Sequence, residues 1–175
     1  MSLRTTVRKV SRDMKAAVAG QHIEEDNTDI LETLKEEHDE VKDLLSKLND
    51  AEGAAERKSL VTQIKEALIP HTKAEEKVVY DAVIALRDKD AQRDGHEGYL
   101  EHEWASKTLD RLGKIANATS PEHKATAKVL KELVEHHIEE EESNVWKDVK
   151  KNFSDEQRAD MNRRFKVAKT KVRVP

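Results

Sequence analysis

The segment Glu135–Trp146 reads EHHIEEEESNVW: two adjacent histidines, one isoleucine, then four glutamates. Imidazole nitrogens and carboxylate oxygens together form a donor set that suits iron, with manganese or zinc as competitors. Residues i and i+4 share one face of an α-helix, so His137 and Glu141 can offer a nitrogen and an oxygen to one centre. The same H-x-x-x-E spacing occurs at His71 and Glu75. Two further histidines, His38 and His102, lie in the segments that precede these two pairs.

These positions belong to an internal repeat. IKEALIPHTKAEEKVVYDAV aligns with LKELVEHHIEEEESNVWKDV, and EHDEVKDLLSKL aligns with EHEWASKTLDRL. His71 then pairs with His137, Glu75-Glu76 with Glu141-Glu142, Tyr80 with Trp146, and Glu37-His38 with Glu101-His102. The chain reads as two helix pairs, each giving one His and then one H-x-x-x-E. Helical angle selects within the charge run. His137 is three residues after Val134 and Glu141 four before Val145, so both fall inside an apolar stripe. His136 points about 100° away. Glu139 and Glu142 lie off the stripe and read as solvated charges, with Glu140 beside it.

The elements that must position these groups are helices. After the capping cluster Asn27-Thr28-Asp29, a first helix carries Leu31, Leu34, Val41, Leu45 and Leu48 on one face, with His38 in its gap. A second helix is expected over about 56–86, with Leu60, Ile64, Leu68, Val78 and Ala82 on one face, His71 and Glu75 in the missing steps, and a kink at Pro70. Residues 88–95, DKDAQRDG, read as a turn, and a third helix over about 96–116 aligns His102 with Leu109 and Leu112. Ser120-Pro121 opens a fourth helix with the stripe Leu130, Val134, Val145 and Val149. Ser154 and Gln157 form a capping box for a last helix bearing Met161, Phe165 and Ala168, followed by a basic tail. The expected organisation is a basic N-terminal helical arm over 1–27, a four-helix body over 28–150, and a C-terminal helix and tail over 151–175.

Composition agrees with an all-α fold. The 175 residues hold five Gly and three Pro, 39% charged and 36% hydrophobic residues, and two each of Trp, Tyr and Phe. The core must therefore be mostly aliphatic. With no cysteine, disulfides, thiolate metal sites and Cys nucleophiles are excluded. A net charge of −4 gives no basic balance to suggest nucleic acid as the main partner. No apolar run is long enough to span a membrane. The N-terminus lacks the continuous apolar stretch of a secretory signal, so a cytoplasmic location is expected.

Four helices thus direct His38, His71, His102 and His137 at one core, and two of them add Glu75 and Glu141. A buried, unpaired carboxylate costs several kcal/mol unless it is ion-paired or ligates a metal. No lysine or arginine sits on these stripes. Two carboxylates from opposing helices can bridge two metals, as helix bundles with binuclear carboxylate sites do. His22, His96, His123 and His136 are expected at surface or loop positions without a special role. Glu37 and Glu101, next to ligand positions, are candidate partners for imidazole N–H groups.

The ordered motifs EEHDEV, PHTKAEEKVVY, LEHEWA and HHIEEEESNVW, over about residues 28–150, resemble the hemerythrin-like family (the HHE cation-binding domain). The resemblance implies an up-down-up-down four-helix bundle with two non-haem iron ions. His38, His71, His102 and His137 would be terminal ligands, and Glu75 and Glu141 bridging carboxylates. One departure stands out: oxygen-carrying members have a second histidine on the third helix, four residues from the first, and those places are Gly98 and Ser106 here. That favours the bacterial stand-alone members and a coordination sphere open to exchange. The functional expectation is the handling of a small oxidant (peroxide, oxygen or nitric oxide) in stress response. The alternatives are reversible oxygen or nitric oxide binding or sensing without turnover, and iron storage or handling. A monomer or dimer with a small diatomic or peroxide ligand is expected.

Overall fold

The computed structural model describes residues 26–175, so most of the expected N-terminal arm, His22 included, lies outside the described residues. Helix α1 spans Ile30–Asp50, α2 Ala54–Glu75, α3 Lys89–Lys114, α4 Pro121–Glu140 and α5 Asp155–Lys169. Their starts follow the local chemistry. The Asp29 side chain accepts from the Leu31 N–H, Asp88 from Asp90 and Ser120 from His123. Ser154 and Gln157 close a complete capping box on α5. Because Asp88 caps α3, the segment over 88–95 is helical instead of the expected turn.

Helices α1 to α4 pack in cyclic order: α1 on α2, α2 on α3, α3 on α4 and α4 on α1. Joined by short connections, they form the expected up-down-up-down bundle. The apolar core falls into two clusters. One is built on Leu45, Leu48, Ile64, Leu109, Leu112 and Leu130; the other on Ile30, Leu34, Val79, Tyr80, Val83 and Val149. Between them lies a layer of buried His and Glu. Helix α5 packs on α1 and α2, contributing Met161 and Phe165 to the second cluster. Arg158 fastens it, reaching Asp29 at 2.7 Å and the Phe153 carbonyl at 2.8 Å.

Helices α2 and α4 do not end where their α-helical hydrogen bonding ends. Each continues through one π-turn, Glu76–Tyr80 and Glu141–Val145, into a further α segment, Asp81–Ile84 and Trp146–Asn152. The Asp81 N–H bonds the Glu76 carbonyl and the Trp146 N–H the Glu141 carbonyl, both i→i+5. Pro70 sits inside α2, which runs on past it to Glu75. The π-turn shifts the buried face: Val83 is fully buried where the regular α pattern favoured Ala82, which is only half-buried. Among the described residues no helix is long and apolar enough to cross a membrane.

At the far end of the bundle Arg57 is 0% exposed. Its Nη1 donates to the carbonyls of Leu48 (2.7 Å) and Ala51 (2.8 Å), satisfying the C-terminus of α1. Its Nε and Nη2 lie 3.3 and 3.2 Å from Nδ1 of His123. His123 is therefore buried, not a surface residue as expected, and its role is to pack against this guanidinium. Replacing Arg57 by Leu leaves two buried carbonyls without a charged donor and should cost about 2–3 kcal/mol. Urea unfolding of the variant checks this, and an unchanged midpoint would refute the capping role.

Candidate metal centre

All six side chains singled out by spacing meet in the polar layer. His38, His71, His102 and His137 are buried, as are Glu75 and Glu141. The histidines form two pairs, His38 with His71 (ring centroids 5.1 Å apart) and His102 with His137 (4.6 Å). Each glutamate lies between the pairs. Glu75 Oε2 is 3.3 Å from His71 Nε2 and 3.5 Å from His102 Nε2. Glu141 Oε2 is 3.6 Å from His38 Nε2 and 3.4 Å from His137 Nε2. Within the buried layer two groups of donors could each hold a cation, His38-His71-Glu75 and Glu75-His102-His137, with Glu75 common to both.

Every imidazole turns Nε2 inward and Nδ1 toward a carboxylate on the neighbouring helix. His71 Nδ1 donates to Glu37 Oε2 (3.0 Å), His137 Nδ1 to Glu101 Oε2 (2.7 Å) and His38 Nδ1 to Glu142 Oε1 (3.1 Å). His102 Nδ1 lies 3.4 Å from Glu76 Oε1. These contacts make a closed ring: α1 supports the histidine of α2, α2 that of α3, α3 that of α4, and α4 that of α1. A carboxylate behind a histidine fixes its tautomer and raises its basicity as a ligand. Glu37 and Glu101 fill the role their position suggested. Glu142 does not stay a solvated charge: the π-turn that starts at Glu141 brings it over His38, whereas Glu139 remains exposed. The signal for Glu76 and Glu142 was available in the repeat, which pairs them, but a regular helical wheel turns both away.

The electrostatics of the layer are those of carboxyls and imidazoles packed together away from solvent. Burial and the adjacent Glu141 carboxylate push Glu75 up, while His137 and His38 hold Glu141 down against the effect of its own burial. Burial lowers His38 and His102 to about 4. Burial also opposes charge on His71 and His137. The Glu75 and Glu37 carboxylates nevertheless lift His71 to about 9, and Glu101 and Glu141 lift His137 to about 10. Among the described residues, His38 Nε2, both Glu75 oxygens, Glu141 Oε2 and His102 Nδ1 are buried with no hydrogen-bond partner. Such orphaned groups are costly, and a cation inside the cage satisfies the inward ones, His38 Nε2 and the oxygens of Glu75 and Glu141, together, while His102 Nδ1 faces Glu76 on the outside. The donor set fits a metal.

Two features bound access. A cavity of about 10 Å³ lies among the four histidines and is walled by Val41, Leu68, Val134 and Ile138. That is the size of one water-sized ligand. On the other side a surface cleft lined by Asp94, Glu97, Glu101 and Glu140 reaches His137, Glu141 and Tyr80.

A bundle with two buried His₂ pairs spanned by two glutamates defines a cation-binding class of helical protein. The family described as "Hemerythrin HHE cation binding domain" matches residues 29–147. The chain belongs to that family. A DNA nickase of Nostoc sp. (strain PCC 7120 / SAG 25.82 / UTEX 2576) is 27% identical over 152 residues, covering 87% of this chain and 42% of that protein. The chain thus spans less than half the length of that relative. No solved structure matches.

The carboxylate ring yields a test. Glu142→Ala should weaken metal retention about 10- to 100-fold, the usual loss for a hydrogen-bond partner behind a ligand. Glu139→Ala should leave it unchanged. Competition with a chromogenic chelator measures both, and equal retention by the two variants would refute the role of Glu142.

Proposed function

We propose that the protein is a non-haem di-iron protein that handles a small oxidant: peroxide, oxygen or nitric oxide. His38, His71, His102 and His137 serve as terminal ligands and Glu75 and Glu141 as the carboxylates shared between the metals. The carrying observation is the buried double His/Glu cage, whose donors fall into two groups that share Glu75. Iron bound there would supply the electron chemistry with the oxidant.

The chain's own residues do the rest. The four outer carboxylates hold each Nε2 aimed inward, so ligand geometry is set before metal arrives. Trp146 donates its indole N–H to Glu141 Oε1 at 3.3 Å and stacks on His38, fixing both. Val41, Leu68, Val134 and Ile138 keep bulk water and larger molecules from one side. Glu101 lines the cleft, and its Oε1 is not the oxygen that accepts from His137 Nδ1.

The name of the Nostoc relative raises DNA as a substrate. The burial of all six donors argues against a strand phosphate reaching them, and the relative's activity belongs to a protein more than twice as long. Reversible binding and iron handling use the same cage and differ from turnover only in outcome.

Iron-loaded protein should hold two irons per chain, show near-ultraviolet bands that azide perturbs, and decompose hydrogen peroxide. Glu75→Ala should abolish that turnover. Azide-sensitive bands without turnover would move the reading to reversible binding, and failure to retain iron would overturn it. Loading should also stabilise the fold, by about 2.7 kcal/mol at one hundred times the dissociation constant. Thermal melts should show that gain in the wild type and its loss in His71→Ala.

A further inference from the structure

The half of the cage around His102 and His137 contains one oxygen that the six-donor pattern does not include. Tyr80 is fully buried, and its hydroxyl lies 3.5 Å from His102 Nε2 and 3.4 Å from His137 Nε2. Those two nitrogens are 3.0 Å apart. With Glu75 Oε2 near His102 and Glu141 Oε2 near His137, three kinds of donor converge on one small volume.

The backbone is shaped for that pose. A β-carbon on Gly98 of α3 would stand 2.6 Å from Tyr80 Cζ and 2.9 Å from its hydroxyl oxygen. Any other residue at this position would displace the ring. The π-turn supplies the other half of the fit. Tyr80 is nine residues after His71, and an unbroken α-helix would turn it about 180° from that histidine. The i→i+5 turn at Glu76–Tyr80 rotates it into the core. The repeat-related residue on α4 is Trp146, whose indole nitrogen is a donor only.

We propose that the Tyr80 oxygen is a fifth protein donor to the metal held by Glu75, Glu141, His102 and His137. The two metal positions are therefore chemically unequal: one carries a phenolate, the other has an indole beside it. The inference rests on the di-iron reading above. On binding, the phenol O–H bond breaks, an oxygen–metal bond forms, and the proton leaves through the cleft that Tyr80 and Gly98 line. No electron changes hands in this step.

The test is optical and vibrational. Protein loaded with iron and oxidised with ferricyanide should show a visible phenolate-to-iron(III) charge-transfer band, and resonance Raman excitation in that band should enhance tyrosine ring modes. Tyr80→Phe should keep both irons by elemental analysis and lose the band. Gly98→Ala, which keeps the phenol but displaces its ring, should also lose or shift it, and it serves if the phenylalanine variant does not fold. Two irons without a tyrosine band, or a band unchanged in both variants, would overturn the role of Tyr80 and leave the di-iron reading standing. Failure of the wild type to retain iron would overturn both.

Discussion

A layer of polar groups buried between two aliphatic clusters governs this structure. Glu75 is 0% exposed, and neither of its oxygens has a hydrogen-bond partner among the described residues. Desolvating a carboxylate is expensive, and here only imidazoles lie close enough to offset it. The chain tolerates the layer because its histidines are held from outside by carboxylates of the next helix. The ring Glu37–His71, Glu76–His102, Glu101–His137 and Glu142–His38 binds the bundle through its middle. It also leaves an inward shell of nitrogen and oxygen that a cation completes.

The π-turns place the ring and the cage on the same two helices. In a regular α-helix, neighbouring residues such as Glu75 and Glu76 diverge by about 100° and the chain beyond continues the same wheel. A π-turn after Glu75 and another at Glu141 let one glutamate face the cage and the next reach a histidine on the adjoining helix. The same turns deliver Tyr80 and Trp146 to the cage wall. π-turns are poorer in backbone hydrogen bonding than α-turns and are commonly found at functional sites. Their presence at repeat-related places is consistent with that use.

The C-terminal helix is part of this arrangement. Phe165 packs edge-on against the His71 ring at 5.9 Å. Lys169 donates to Glu37 Oε2 at 2.6 Å, the same oxygen that accepts from His71 Nδ1. This charge keeps Glu37 ionised, together with the His71 contact and against the effect of its partial burial. At the start of α1, Lys166 bonds Asp26 at 2.6 Å and Arg158 bonds Asp29. Helix α5 thus covers one edge of the layer and sets the charge behind one of its histidines.

The sequence by itself determined the helices, their caps and the six inward donors, because these depend on local spacing. Three- and four-residue apolar steps define a helix face, and an internal repeat shows which polar residues interrupt it. His38, His71, Glu75, His102, His137 and Glu141 were legible for that reason, and so were the capping box at Ser154 and the resemblance their order carries. Tertiary structure alone decided the pairing of His38 with His71 and of His102 with His137, since spacing along one helix is silent about its neighbours. It decided that Glu142 supports His38, that His123 is buried against Arg57, and that α3 begins at Lys89. It also brought Tyr80 against the cage, in space left by Gly98. The physical reason is common to Glu142 and Tyr80: each follows or lies within a π-turn, where the angle per residue departs from the regular helix on which sequence periodicity rests.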